Sequence, residues 1–348
     1  MKFLVTFLSA LMALFVLVSA KKSVNPKVKT SKHKIELFKV HIIENQRYTV
    51  NGSTCNVEMV FIEGSCAGEY FNGDLIFKDS TNVIKRYKNG KLEFTARYFI
   101  NGTDHDNNPG HLHFEDIFIG YDNKNHPVTR PNIFTDVENL SWLPKADVIG
   151  IVEDETDGKL IRYMWNQKNT EQKPYRVPEY PDETKDYSVP IFDVNVIPGG
   201  LGFDGFYGID GTGVGKLGFT CNVNATDFKG YSVDNFVDTR YDVAGQAQGV
   251  SARYIIEGVD GEGNKMKMYV ENKGTDLNAD NLNISTEPII ITDNPKWAWI
   301  ETAPLHGTHT SDGFFSYIHF WTVEGAMPSQ SQNSNDSESE SESESDWF

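Results

Sequence analysis

Two arginines stand in the middle of apolar runs, where charge is costly. Arg97 lies in Ala96-Arg97-Tyr98-Phe99-Ile100 and Arg253 in Ala252-Arg253-Tyr254-Ile255-Ile256. A guanidinium so placed must be paired, because an uncompensated buried charge is strongly destabilising. Its partner is either a carboxylate on a neighbouring strand, which makes it structural, or a ligand carboxylate or hydroxyl held by a bidentate contact. Period-two alternation is read as turning Arg253 inward and Tyr254 outward, with Asp260, Glu301 or a nearby histidine as the partner in reach.

A second group is His111-Leu112-His113-Phe114-Glu115. On a strand, residues 111, 113 and 115 share a face, so two imidazoles and a carboxylate offer a metal site, against the plainer alternative of a polar strand face. A third group is His306, His309 and His319, with Glu301 nearby, a set able to serve as general acid and base if it meets in a pocket. Trp299 belongs to the aromatic-rich end of the chain, where some rings could stack on a flat ligand or sugar. No Gly-x-Ser-x-Gly elbow, His-Glu-x-x-His helix or phosphate loop is present, and no cofactor is expected.

The elements that must carry these residues occur twice. Glu36 to Ile43 is echoed by Pro190 to Ile197, Phe71-Asn72-Gly73 by Phe228-Lys229-Gly230, and Ala96 to Asp104 by Ala252 to Asp260. The offsets are 154, 157 and 156 residues. A period so long implies two whole domains rather than a solenoid. Each copy reads as strand throughout: Val-, Ile- and Phe-rich segments alternate with period two, separated by turn pairs such as Asn89-Gly90, Asp157-Gly158, Asp260-Gly261 and Asp312-Gly313. The fold class expected is all-β, two tandem antiparallel β-barrel domains of open, calycin-like form, since closure removes exposed sheet edges. A disordered acidic tail follows them.

These landmarks resemble the family known as domain of unknown function 3237 (UPF 0311). Repeat 2 carries Phe228-Lys229-Gly230, Ala252-Arg253-Tyr254, Asp260-Gly261, Gly274, Trp299-Ile300-Glu301 and Tyr317 to Val323. Repeat 1 carries Phe71-Asn72-Gly73, Ala96-Arg97-Tyr98, Asp104 and Gly120, with Asp104-His105 in place of the Asp-Gly turn and a weak Trp element. The resemblance covers most of both repeats. It implies a small β-barrel with an open end, and no activity.

The flanks bound the compartment. Residues 1–20 read as a signal peptide: Lys2, an apolar run from Phe3 to Val18, and a small-residue exit at Val18-Ser19-Ala20. Residues 21–34 are a basic flexible leader, 35–165 the first barrel, 166–187 a Pro-rich charged linker, 188–324 the second barrel, and 325–348 the Ser/Glu-rich tail. No membrane span is expected after signal cleavage. Six sequons, at Asn51, Asn101, Asn139, Asn224, Asn283 and Asn335, accord with a secreted glycoprotein. Cys55 and Cys66 are expected to form a disulfide, with Cys221 left free. A net charge of −17, six of it from the tail between Asp336 and Asp346, argues against nucleic acid as a partner. Three functions remain: a secreted protein binding a small apolar or glycan-like molecule, a barrel-pocket cyclase, isomerase or lyase, and an extracellular structural glycoprotein.

Overall fold

The computed structural model describes residues 25–169, 185–200, 204–276, 284–311 and 316–328. Two closed eight-stranded antiparallel barrels stand in tandem. The first comprises β1 (Ile35–Asn51), β2 (Cys55–Ala67), β3 (Phe71–Leu75), β4 (Thr81–Tyr87), β5 (Leu92–Asp104), β6 (Pro109–Tyr121), β7 (Pro127–Thr135), β8 (Val148–Glu155) and β9 (Gly158–Trp165). The second comprises β10 (Val189–Pro198), β11 (Asp204–Tyr207), β12 (Gly213–Asn224), β13 (Phe228–Ser232), β14 (Phe236–Asp242), β15 (Gln248–Asp260), β16 (Lys265–Asp276), β17 (Ile284–Thr292), β18 (Leu305–Ser311) and β19 (Ser316–Thr322). Each barrel closes through its first strand, β1 on β2 and β9, and β10 on β12 and β19. The short segments β3 and β4 share one place between β2 and β5, as β13 and β14 do between β12 and β15.

The repeated Phe-x-Gly has a steric reason. Gly73 in β3 lies opposite Gly102 in β5, and a Cβ on Gly102 would fall 2.0 Å from the Asn72 carbonyl oxygen. Gly230 and Gly258 repeat the arrangement, with a Cβ on Gly258 2.0 Å from the Lys229 carbonyl oxygen. Only glycine permits so close a strand crossing.

Inside the first barrel, Phe38, Val40, Ile42, Tyr98, Phe114 and Tyr163 are wholly buried. The second core does not stop at its own barrel. Val57, Met59, Phe61 and Val83 from the outer face of the first barrel join one cluster with Phe236, Tyr269, Ile290 and Ile291 of the second. The strands facing the neighbour are therefore apolar on both sides, as continuous runs rather than clean alternation.

The free thiols correct an expectation. Cys55, Cys66 and Cys221 are all buried and unbonded. Cys55 and Cys66 occupy the two ends of one continuous strand, opposite Tyr87 and Gly73 respectively. At about 3.3 Å per residue they stand some 36 Å apart, beyond any disulfide. No turn falls between them to fold the strand back. The expected signal peptide, most of the expected linker and the tail from residue 329 lie outside the described residues. Among those described, no helix is long and apolar enough to cross a membrane.

Candidate functional site

The alternation around the two arginines holds, but its phase is the reverse of the expectation. Tyr98 and Tyr254 turn into the barrels, and Arg97 and Arg253 turn out, into the contact between them. Both arginines remain almost wholly buried because each barrel covers the other's outer face. Arg97 donates to the Val237 carbonyl at 2.9 Å and to the Ser251 carbonyl and hydroxyl at 3.0 and 3.1 Å. Arg253 pairs with Glu115 of the first barrel, and its Nε lies 3.5 Å from Glu271. Tyr241 also donates to Glu115. Lys85 and Lys273 reach Glu271 at 2.5 and 2.7 Å. In the ladders Arg97 lies opposite Glu115 and Arg253 opposite Glu271, so one Arg/Glu pair has been copied and its copies face one another. Burial opposes ionisation of both carboxylates, but Arg253, Arg97 and Lys273 around Glu115, and Lys273, Lys85 and Arg253 around Glu271, hold them below the usual range. This is a structural tie, not a pocket.

The same geometry disperses the proposed metal group. His111 pairs with Asp136 at 2.6 Å and stacks on Phe206. His113 is sealed among Phe99, Phe134 and Tyr241, its Nδ1 3.1 Å from the Tyr98 carbonyl, and burial lowers its pKa to about 3. Glu115 answers Arg253. The three share a strand face, as alternation requires, but each meets a different partner from the facing barrel or a neighbouring strand.

The remaining expected residues are spread widely. Asp260 closes the turn after β15, accepting from the backbone of Glu262 and Asn264 and from the side chains of Asn264 and Asn294. Trp299 stacks on Trp297 in the short 3-10 turn Ala298–Glu301. Glu301 accepts four hydrogen bonds of 2.6 to 2.9 Å from Ser53 and Thr54, clasping the β1–β2 hairpin of the other barrel. His306 lies against the Tyr187 ring, and burial lowers its pKa. His319 contacts Asp193 and Thr310, both at 2.7 Å, on the outside of β19. Of the expected set, Tyr254 and His309 face a cavity.

That cavity, about 110 Å³, is the interior of the second barrel. Val196, Leu217, Phe219, Val250, Ile284 and Ile318 form its apolar wall. Its polar groups are Asp238, Arg240, Tyr254, Asn272, Thr286 and His309, the last 2.6 Å from the Ser316 hydroxyl. Arg240 is paired with Asp276. Tyr254 Oη, Asp238 Oδ1 and Asn272 Oδ1 are buried without a hydrogen-bond partner among the described residues. Burial raises the Asp238 carboxyl to about 6, although Arg97 and Arg240 pull it down.

Three of these residues belong to a pattern that no single sequence motif displays. Across the sheet, Asp238, Ala252, Asn272 and Pro288 are successive ladder partners. In the first barrel the corresponding row is Asn82, Ala96, Asp116 and Pro131. Carboxylate and amide have exchanged places around the same small alanine, with Tyr98 and Tyr254 two residues beyond it. Sliding one repeat on the other by 156 residues aligns Asn82 with Asp238, Asp116 with Asn272 and Tyr98 with Tyr254, which was the available signal.

No protein-family model and no curated protein matches this chain. Solved structures similar to it include a protein of unknown function from Clostridium acetobutylicum (15% identity over 38% of this chain and 94% of that one, TM-score 0.33). A conserved protein of unknown function from Rhodopseudomonas palustris matches at 16% identity over 37% and 94%, TM-score 0.31. A β-barrel-like protein from Acinetobacter baumannii matches at 13% identity over 38% and 93%, TM-score 0.31.

Proposed function

We propose that this is a secreted protein that binds a small molecule inside its second barrel. One observation carries the reading: three buried polar atoms, on Tyr254, Asp238 and Asn272, surround an apolar-walled void and have no partner among the described residues. Buried polar groups are almost always satisfied, so such a cluster in a lumen calls for a guest. Two of the three atoms are acceptors, which favours a compact ring bearing N–H or O–H donors. Catechol and benzamide are suitable probes in calorimetric titration of the full chain. Saturable binding of at least one, weakened about ten-fold in Tyr254→Phe by loss of one hydrogen bond, is expected. Absence of saturable binding for both would refute the reading.

The raised Asp238 carboxyl beside Tyr254 favours a second reading, acid–base chemistry on the bound molecule in an isomerase, cyclase or lyase. In that case Arg240 and His309 take the roles first considered for Arg253. Exchange of solvent deuterium into the bound molecule, lost in Asp238→Asn, separates this reading from simple binding.

Secretion is supported by the sequence of residues 1–20 and by the exposure of Asn51, Asn101, Asn139 and Asn224. Asn139 already donates to Asp104 and Asp106, so the other three are the better glycan acceptors. Asn283 and Asn335 lie outside the described residues. Mass spectrometry of the protein from the medium should find Lys21 at the N-terminus and glycans on at least one of the three; an intact Met1 would refute cleavage. We also propose kinship with domain of unknown function 3237, which a duplicated barrel fits.

A further inference from the structure

We infer that the lumen of the first barrel is a separate ligand site that takes a flat apolar molecule ending in a hydroxyl group, a phenol. A cavity of about 220 Å³ lies there, lined by Ile84, Phe94, Tyr121 and Val152 together with Asn82 and Tyr98, and by the exposed Glu44 and Arg86 and the half-buried Lys159. Asn82 is 5% exposed and Tyr98 0%, and neither Asn82 Oδ1 nor Tyr98 Oη has a hydrogen-bond partner among the described residues. An unpaired polar atom in such a place costs free energy comparable to a lost hydrogen bond, and two lining one cavity are not what a merely filled barrel would retain.

The chemistry of these two atoms defines the guest. An amide oxygen only accepts, and the Tyr98 hydroxyl has a proton to donate. One hydroxyl group satisfies both, donating to Asn82 and accepting from Tyr98. An ether lacks the proton that Asn82 needs. A carboxylate would set acceptor against acceptor. Asp116, next but one in the same row, is wholly buried and accepts from Tyr163 at 2.5 Å. Phe94 and Tyr121 in the wall suit an aromatic ring above the hydroxyl.

This site stands on its own atoms and does not require the second barrel's lumen to bind anything. The test is calorimetric titration of the full chain with 4-methylphenol and with its methyl ether, 4-methylanisole, which has the same ring and no donor. 4-Methylphenol is expected to bind saturably and the ether about ten-fold or more weakly, the effect of one lost hydrogen bond to a buried group. Tyr98→Phe and Asn82→Leu should each weaken the phenol by a similar factor. Val152→Trp, which fills the cavity from its apolar wall, should remove the site. Tyr254→Phe should leave it intact. Equal affinity for phenol and ether, or no saturable phenol binding, overturns the inference without recourse to any variant. Loss of binding in Tyr254→Phe but not in Tyr98→Phe or Val152→Trp overturns it by assigning the phenol to the other barrel.

Discussion

Arg253 and Asp116 show how far a residue's neighbourhood, rather than its type, sets its role. Arg253 satisfies two buried carboxylates, so Arg253→Met would leave Glu115 and Glu271 with fewer cations in a dry interface. Breaking one partner of a buried pair costs about 3–5 kcal/mol. Urea unfolding should register a loss of that order, while ligand affinity in either lumen of the surviving fold stays unchanged; a stable variant that loses affinity would return Arg253 to the site. Asp116 behaves oppositely. Its carboxyl is raised by burial, so the unfolded chain releases the proton first and stability falls as pH climbs from about 4 towards 7. Asp116→Asn, which installs the residue that the second barrel has at this place, should therefore raise the melting temperature at pH 8 more than at pH 4. An equal effect at both values would show that Asp116 is not held neutral. Glu115 and Glu271, held low, run the other way: their stabilisation is present above the ordinary carboxylate pKa and is lost as the pH falls through their folded values.

The strand is the element that decides reactivity here. β2 is thirteen residues long without a break, and it carries one thiol to each end. Burial pushes Cys66 and Cys221 up to about 12 and raises Cys55, so none presents a thiolate near neutral pH. Ellman's reagent should titrate no thiol in the native protein and three in guanidinium chloride. Two fewer in the denatured protein would mean that a disulfide forms despite the strand. The β5–β6 and β15–β16 pairs show the complementary lesson. Each presents a row of small and polar residues to its lumen and an Arg/Glu row to its neighbour, so one ladder serves binding on one face and assembly on the other.

For the whole molecule, the merged core makes the two barrels one thermodynamic unit. Val57, Met59, Phe61 and Val83 are buried only because the second barrel covers them, and Glu301 clasps a hairpin of the first. Separated barrels would each expose an apolar face with unpaired charges, a liability for association. The full chain should unfold in a single calorimetric transition, and a fragment ending before residue 170 should self-associate or aggregate unless expressed with its partner half. Two well-separated transitions, or a monomeric stable first half, would refute the coupling.

The duplication, the all-β class and the closed barrels follow from the amino-acid sequence, because period-two alternation, glycine at strand crossings and repeated landmarks are local properties of the chain. Which residues share a face was legible too: Arg97 with Glu115's row, His111 with His113, Tyr98 apart from Arg97. The sign of that face was not. In an isolated barrel a charged face is solvent and an apolar face is core, but here the second barrel buries the outer face of the first, so Arg253, His113 and Glu115 are interior to the molecule while exterior to their barrels. Alternation fixes relative orientation along a strand, and only the packing of one barrel on the other fixes what each side meets. The exchange of Asp and Asn between the two lumens, and with it the candidate sites, emerged when the strand registers set those residues in corresponding rows.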